Sequence, residues 1–429
     1  MIAFKKSEEI GGTISKFRIV GGKDLKGEIE VNGAKNAAMK MIAACCLTPG
    51  LFTLENIPEI LDVQKEIKIL EHIGAKIERT DHRLSVDTTN LQNKPLPRDL
   101  IKELRASIVL IGPLLVRFGE VVIPHPGGCM IGARPIDRHI KAFRDLGVEV
   151  TESADSYTFK RGSILGTTTA FEKITWTGTE NIILFASGLP QVTTIENIAL
   201  EPEVFNLIEL LEKMGAKFEV KGRTAKVTGT ANLTAANHTC MSDRLEAATF
   251  AIMAAAIGNG IKITNCPCNH LDALLEKFEV MGIQFAKEEK SLYIKKPGKI
   301  TATDISTAEY PGFVTDTQPP MGLLLTQAEG KSTIRENLFE SRLGYLKELK
   351  KMGADIEFID DHEAKISGPT KLHGAHLQSL DLRAGATLLI AGLAAVGETI
   401  IEGAENIDRG YEKIEDRLKA IGADIERIA

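Results

Sequence analysis

The sequence has no apolar run approaching the ~20 residues that a membrane-spanning helix needs. Its longest, AIMAAAI and TLLIAGLAAV, are far shorter. It also lacks a basic excess: 52 Lys and Arg face 58 Asp and Glu, for a net charge of −6, which argues against a nucleic-acid-binding surface. The opening MIAFKKSEEIGGTISKF has no apolar core of the kind a signal peptide carries. Six cysteines (Cys45, Cys46, Cys129, Cys240, Cys266 and Cys268) follow no secreted disulfide framework. CPCNH, at 266–270, is a C-x-C with a nearby His but no second ligand pair, so it reads as two small buried residues around a turn proline and not as a zinc site. No P-loop is present either. These absences leave a cytoplasmic protein with no membrane or nucleic-acid partner, no metal and no cofactor. Its 429 residues suffice for two or three domains with real cores.

What the sequence does contain is a long repeat. LEHIGAKIE, FRDLGVEV, LEKMGAKFEV, FEVMGIQFA, LKKMGADIE and LKAIGADIE share a glycine at Gly74, Gly147, Gly215, Gly282, Gly353 and Gly422, at intervals of 67 to 73 residues. Each phrase reads as a helix end, a glycine C-cap at φ > 0 and a half-buried strand. Most units add an upstream strand and turn, such as FTLENIP, TTIENIA or IKITNCP, and an amphipathic helix such as EVFNLIELLEKMG. Every unit also has a second helix, apolar on all sides and therefore buried: KNAAMKMIAACC, RASIVLIGPLLVRFG, TENIILFASGL, DRLEAATFAIMAAA, DTQPPMGLLLTQAEG and DLRAGATLLIAGLAAV. Three units can enclose their buried helices, which gives an α/β protein of two domains with three units each.

The buried helices begin with Lys35 and Asn36, Arg105, Glu180 and Asn181, Asp243 and Arg244, Asp316, and Asp381 with Arg383. The aspartates Asp243 and Asp381 suit helix N-caps. Cations in a first turn oppose the helix dipole, so Lys35, Arg105 and Arg383 make sense where an anion sits among them. Unit spacing adds one more clue. From turn asparagine to repeat glycine, five units span 16 to 18 residues, whereas the second unit spans 22 from His125 to Gly147. The extra residues fall in PHPGGCMIGARPIDRH, around Cys129 and Arg134, and an inserted glycine-rich loop on a repeated scaffold usually serves function.

GAKNAA, LRASIVLIGPLLVRFG, PGGCMIGARPIDRHI, SDRLEAATF, YPGFVTDTQ, DLRAGA and IDRGYEKIEDRLKAIGA resemble, in order and spacing, the UDP-N-acetylglucosamine enolpyruvyl transferases from about Phe17 to Ile428. The resemblance implies two inside-out α/β barrel domains, residues 35–241 and residues 1–34 with 242–429, with the active site in the cleft between them. It implies transfer of the enolpyruvyl group of phosphoenolpyruvate to the 3′-hydroxyl of UDP-N-acetylglucosamine, with phosphate released. It assigns Cys129 as the acid that protonates the methylene carbon, and as the group a phosphonate epoxide such as fosfomycin alkylates. Asp316 matches the base, and Lys35, Arg134 and Arg409 match residues around phosphoenolpyruvate. Arg105, Arg342 and Arg383 add positive charge. Asn36 matches a sugar contact, Leu338 a sugar-side position, and Asp381 a carboxylate near the reacting centre. Arg134, Pro135, Asp137, His139 and Gly178 match the nucleotide region. Val314 and Arg138 depart from the usual pattern, which leaves room for an altered nucleotide-sugar preference. The alternatives are another acceptor (shikimate 3-phosphate or a nucleoside) and a non-catalytic nucleotide-sugar binder. Oligomeric state is not legible.

Overall fold

The computed structural model describes residues 15–127, 135–162 and 167–429. The repeat is visible in the backbone. Gly74, Gly147, Gly215, Gly282, Gly353 and Gly422 all have positive φ, between 77° and 117°, so each ends its helix in the left-handed region open chiefly to glycine. The described strands form six sheets, five of four strands and one of three. In the four-stranded sheets, an edge strand pairs parallel with the outer strand of a three-stranded antiparallel set, for example Thr168–Ala170 against Val192–Glu196.

One side chain explains the recurring turn asparagine. Asn56, Asn197, Asn265, Asn337 and Asn406 donate their Nδ2 to the carbonyls of Cys240, Phe171, Val31, Thr307 and Ser379, at 2.7 to 2.9 Å. Each of those carbonyls follows the parallel edge strand of the same sheet, so the amide clasps the outgoing chain. The second unit has His125 at this place, and its sheet, Glu120–Pro124, Ser156–Arg161 and Val148–Glu152, is the three-stranded one.

The chain crosses twice between its two halves, and the edge strands are exchanged there. Leu25–Glu30, which precedes the helix Lys35–Ala44, pairs with Gly258–Thr264 of the fourth unit. Asn237–Thr239, which precedes the helix Arg244–Ile257, pairs with Leu51–Glu55 of the first. The two crossings touch through a Gly33–Ser242 bridge. Lys16–Val20 closes the sixth unit by lying between Glu398–Glu402 and Asp424–Ile428. Two hydrophobic cores result. One is drawn from residues between Ala34 and Cys240; the other joins Phe17–Val31 to residues 247–425.

The buried helices pack at close range, as their small residues require. At Gly112, a Cβ would lie 2.4 Å from the Asn181 carbonyl oxygen, and the Gly112 N–H donates to Asn181 Oδ1 at 2.8 Å. Two expectations need correction. RASIVLIGPLLVRFG is not one helix but a 3₁₀ segment, Arg105–Leu110, followed by the α-helix Ile111–Phe118. Pro113 has no N–H for an α-type bond to Val109, so it fits the first turn of a helix and not its middle. Asp316 does not begin its helix either, because Gln318–Leu325 starts two residues later with prolines in the first turn.

Candidate active site

At the crossing between the halves, one carboxylate caps two helices. Asp243 Oδ1 accepts from the N–H groups of Leu245 and Glu246 in its own helix, at 2.8 and 3.0 Å. Asp243 Oδ2 accepts from the Lys35 N–H at 3.1 Å, and the helix Lys35–Ala44 has no side-chain cap of its own. This bond fixes where Lys35 leaves the backbone.

The Lys35 ammonium then meets Asp62, in the first turn of the helix Leu61–His72, with Nζ 2.5 Å from Oδ2. Arg409, 347 residues away in sequence, holds the same carboxylate with Nε at 2.9 Å and Nη2 at 3.3 Å. Asp62 is 2% exposed. Burial alone would raise its carboxyl, but Lys35 and Arg409 outweigh that and hold it below the ordinary aspartate value. Burial pulls the Lys35 ammonium down by more than Asp62 restores, and the nearby Arg409 and Arg383 charges push the same way. The counter-charge of Lys35 is therefore in part a built-in carboxylate. Sequence reading missed Asp62 because an acid in the first turn of a surface-facing helix is ordinary.

A second carboxylate faces the same seam. Asp316 Oδ1 accepts from Arg342 Nη2 at 2.9 Å, and Oδ2 lies 3.4 Å from Arg383 Nε. Arg383 Nη1 donates to the Tyr411 hydroxyl at 2.9 Å, and that hydroxyl shares a 2.8 Å bond with Thr249 Oγ1. Arg342 also lies 3.6 Å from Asp381, whose Oδ1 caps the helix Leu382–Ala394 through the N–H groups of Arg383 and Ala384. Burial would raise Asp316, yet Arg342, Arg383 and Arg244 together hold it down to about 2. The Asp316 side chain is nonetheless 28% exposed, so one face remains open to a reactant.

A buried acid absent from the sequence reading orders this region. Glu336 Oε1 accepts from Thr307 Oγ1 at 3.0 Å and from the Leu338 N–H at 2.9 Å, while Oε2 accepts from Thr315 Oγ1 at 2.9 Å. It ties the residue before Asp316 to the segment carrying half-buried Leu338.

Lys35, Arg409, Arg383, Asp316, Arg342 and Asp381 are thus brought into one charged set across the seam, and half-buried Asn36 follows Lys35 in the same helical turn. Arg105, Pro135, Asp137, His139 and Gly178 all stand on the first half. Arg105 opens the 3₁₀ segment and reaches the Gly127 carbonyl at 3.4 Å. Gly127 admits no side chain, since a Cβ there would meet the Lys102 carbonyl oxygen at 2.0 Å. Cys129 and Arg134 lie outside the described residues. Beyond them Pro135 and Asp137 are exposed, and Asp137 starts the helix Asp137–Asp145. His139 is buried, with Nδ1 3.3 Å from the Asn181 amide nitrogen. Gly178 is buried in the first turn of the helix Trp176–Ser187, where its N–H donates to the capping Thr175 hydroxyl. A Cβ at Gly178 would stand 2.4 Å from Thr175 Cγ2.

Known proteins resemble this chain over nearly its whole length. The family model described as EPSP synthase (3-phosphoshikimate 1-carboxyvinyltransferase) matches residues 19–418. A UDP-N-acetylglucosamine 1-carboxyvinyltransferase of Koribacter versatilis is 44% identical over 420 residues, covering 97% of each chain. UDP-N-acetylglucosamine 1-carboxyvinyltransferase 2 of Listeria monocytogenes is 42% identical, covering 95% of this chain and 97% of its own. Among solved structures, the enolpyruvyl transferase NikO from Streptomyces tendae superposes with a TM-score of 0.88 at 24% identity, over 96% of this chain and 99% of its own. EPSP synthase from Acinetobacter baumannii gives 0.73 at 18% identity, over 97% of this chain and 100% of its own. These structural likenesses carry the architecture alone. With the family model spanning nearly the whole sequence and full-length relatives above 40% identity, the chain belongs to the 1-carboxyvinyltransferase (enolpyruvyl transferase) family.

Proposed function

We propose that this enzyme transfers the enolpyruvyl group of phosphoenolpyruvate to the 3′-hydroxyl of UDP-N-acetylglucosamine and releases phosphate, the reaction that commits the nucleotide sugar to peptidoglycan synthesis. The observation that carries the reading is the seam itself: Lys35, Arg409, Arg342 and Arg383 gather from both halves around one buried and one half-buried carboxylate, Asp62 and Asp316. Phosphoenolpyruvate brings a phosphate and a carboxylate, and guanidinium forks suit both groups.

The charge balance also suggests an order of events. With its carboxyl held to about 2, Asp316 is a poor base while two arginines clamp it. An anionic substrate competes for Arg342 and Arg383, loosens the clamp and raises the proton affinity of Asp316. Asp316 then takes the sugar hydroxyl proton as the oxygen bonds to C2 of the enolpyruvyl group, and C3 gains a proton from Cys129. Loss of a proton from C3 and departure of phosphate restore the double bond. Lys35 and Arg409, fixed by Asp62, hold the phosphate and stabilise it as it leaves.

The test is phosphate release from phosphoenolpyruvate with UDP-N-acetylglucosamine, compared with shikimate 3-phosphate. Release with the nucleotide sugar alone is expected. Release only with shikimate 3-phosphate, or with neither acceptor, rejects the reading.

A further inference from the structure

Two sequence features have been given no contact with a reactant, the His of CPCNH and Arg244 of SDRLEAATF. They meet at a cavity behind Asp316. A cavity of about 50 Å³ lies between the start of the helix Arg244–Ile257, the 3₁₀ turn Cys268–His270 with the helix Asp272–Val280 that follows it, and residues 310–314. Arg244 lines this space although it is only 2% exposed. Its Nε is held by both Glu203 oxygens, at 3.1 and 3.2 Å. Its guanidinium carbon lies 5.0 Å from the Tyr310 ring centre and 5.6 Å from that of Trp176. Its Nη2 is buried and has no hydrogen-bond partner among the described residues. A buried donor left in this way is costly, the more so in a charged group, and two aromatic rings and Glu203 keep the guanidinium from turning elsewhere.

The other walls favour a negative group. The helix Asp272–Val280 begins at the cavity, and its first turn carries the positive end of the dipole. The Asp272 carboxylate is engaged by Lys287 at 3.3 Å. Burial, and then the Arg244 charge, push the His270 imidazole below its usual range, so at neutral pH it is an uncharged hydrogen-bonding group.

We propose that this cavity is a second oxyanion site, which takes the phosphoryl or carboxylate group of a small metabolite on Arg244 Nη2 and the start of the helix Asp272–Val280. Val314 and Thr317 line the cavity and flank Asp316. An anion seated there neutralises one of the charges that hold Asp316 down, so the site tunes the base from behind.

The sole tryptophan, Trp176, supplies the signal. Titrating the full-length protein with inorganic phosphate is expected to change its fluorescence saturably. Arg244→Met, with folding checked by circular dichroism, is expected to weaken this binding by about tenfold or more. His270→Glu, which leaves Arg244 and its aromatic neighbours in place, is expected to weaken it as well. Arg409→Ala, in the proposed reaction site, is expected to retain it, so failure of the enzymatic reading and failure of this one are separable. Absence of a saturable change, unaltered binding in both cavity variants, or loss of the signal in Arg409→Ala would each overturn the proposal.

Discussion

Asp62 and Asp316 are two carboxylates with the same electrostatic setting and different access. Each is gripped by two cations, and each is held below the ordinary aspartate range against a strong push from burial. Asp62 is 2% exposed, whereas the Asp316 side chain is 28% exposed. The enclosed one can only position Lys35 and Arg409. The open one can exchange its arginines for a reactant. A third acid, Glu180, shows what happens when the cations are too few. It is fully buried, has Lys40 as its one cation partner among the described residues, at 3.3 Å, and burial pushes it up to about 8. Cation count and exposure, more than burial as such, separate an acid that positions, an acid that reacts and an acid that stays protonated.

The largest expected effect is at the open carboxylate. Asp316→Asn keeps shape and removes the base, so kcat should fall roughly 10²- to 10⁴-fold while the affinity for UDP-N-acetylglucosamine changes little. Near-normal turnover would reduce Asp316 to an arginine clamp. At the enclosed carboxylate, Asp62→Asn leaves two half-buried cations facing each other. It should cost about 3–5 kcal/mol in denaturant unfolding, and raise KM for phosphoenolpyruvate more than it lowers kcat. An equal collapse of kcat in both variants would erase the distinction.

The pH dependence should sort the carboxylates by sign. Asp316, lowered from 3.8 to about 2, contributes stability that is present above its ordinary value and lost as pH falls through about 2. Thermal melts between pH 4 and pH 2 should therefore fall less steeply in Asp316→Asn than in the wild type. Glu180 runs the other way. Raised from 4.5 to about 8, it binds a proton in the folded state that the unfolded chain has released, so stability declines as pH rises between those values. Glu180→Gln should flatten that decline, and a steeper decline would contradict the protonated assignment.

Much of the scaffold was legible because its determinants are local. A glycine that must adopt positive φ, an apolar helix and an alternating strand each act within a few residues, and six copies reinforce one another. The oversized second unit was legible as a spacing anomaly. Its missing asparagine clasp was visible as His125, but what the clasp does became clear only from the carbonyl it holds in the other units. The broken helix at Pro113 shows the limit of reading composition without hydrogen-bond bookkeeping.

The sequence by itself determined the six-unit architecture, the buried helices and the residue types that an anionic reactant requires. Tertiary structure alone decided that Asp62 answers Lys35 and Arg409, that Asp243 caps helices from both halves, and that Arg244 lies beside two aromatic rings with one donor unspent. Each of these depends on groups up to 347 residues apart meeting in a low-dielectric seam, where charge interactions are strong but leave no mark on neighbouring sequence.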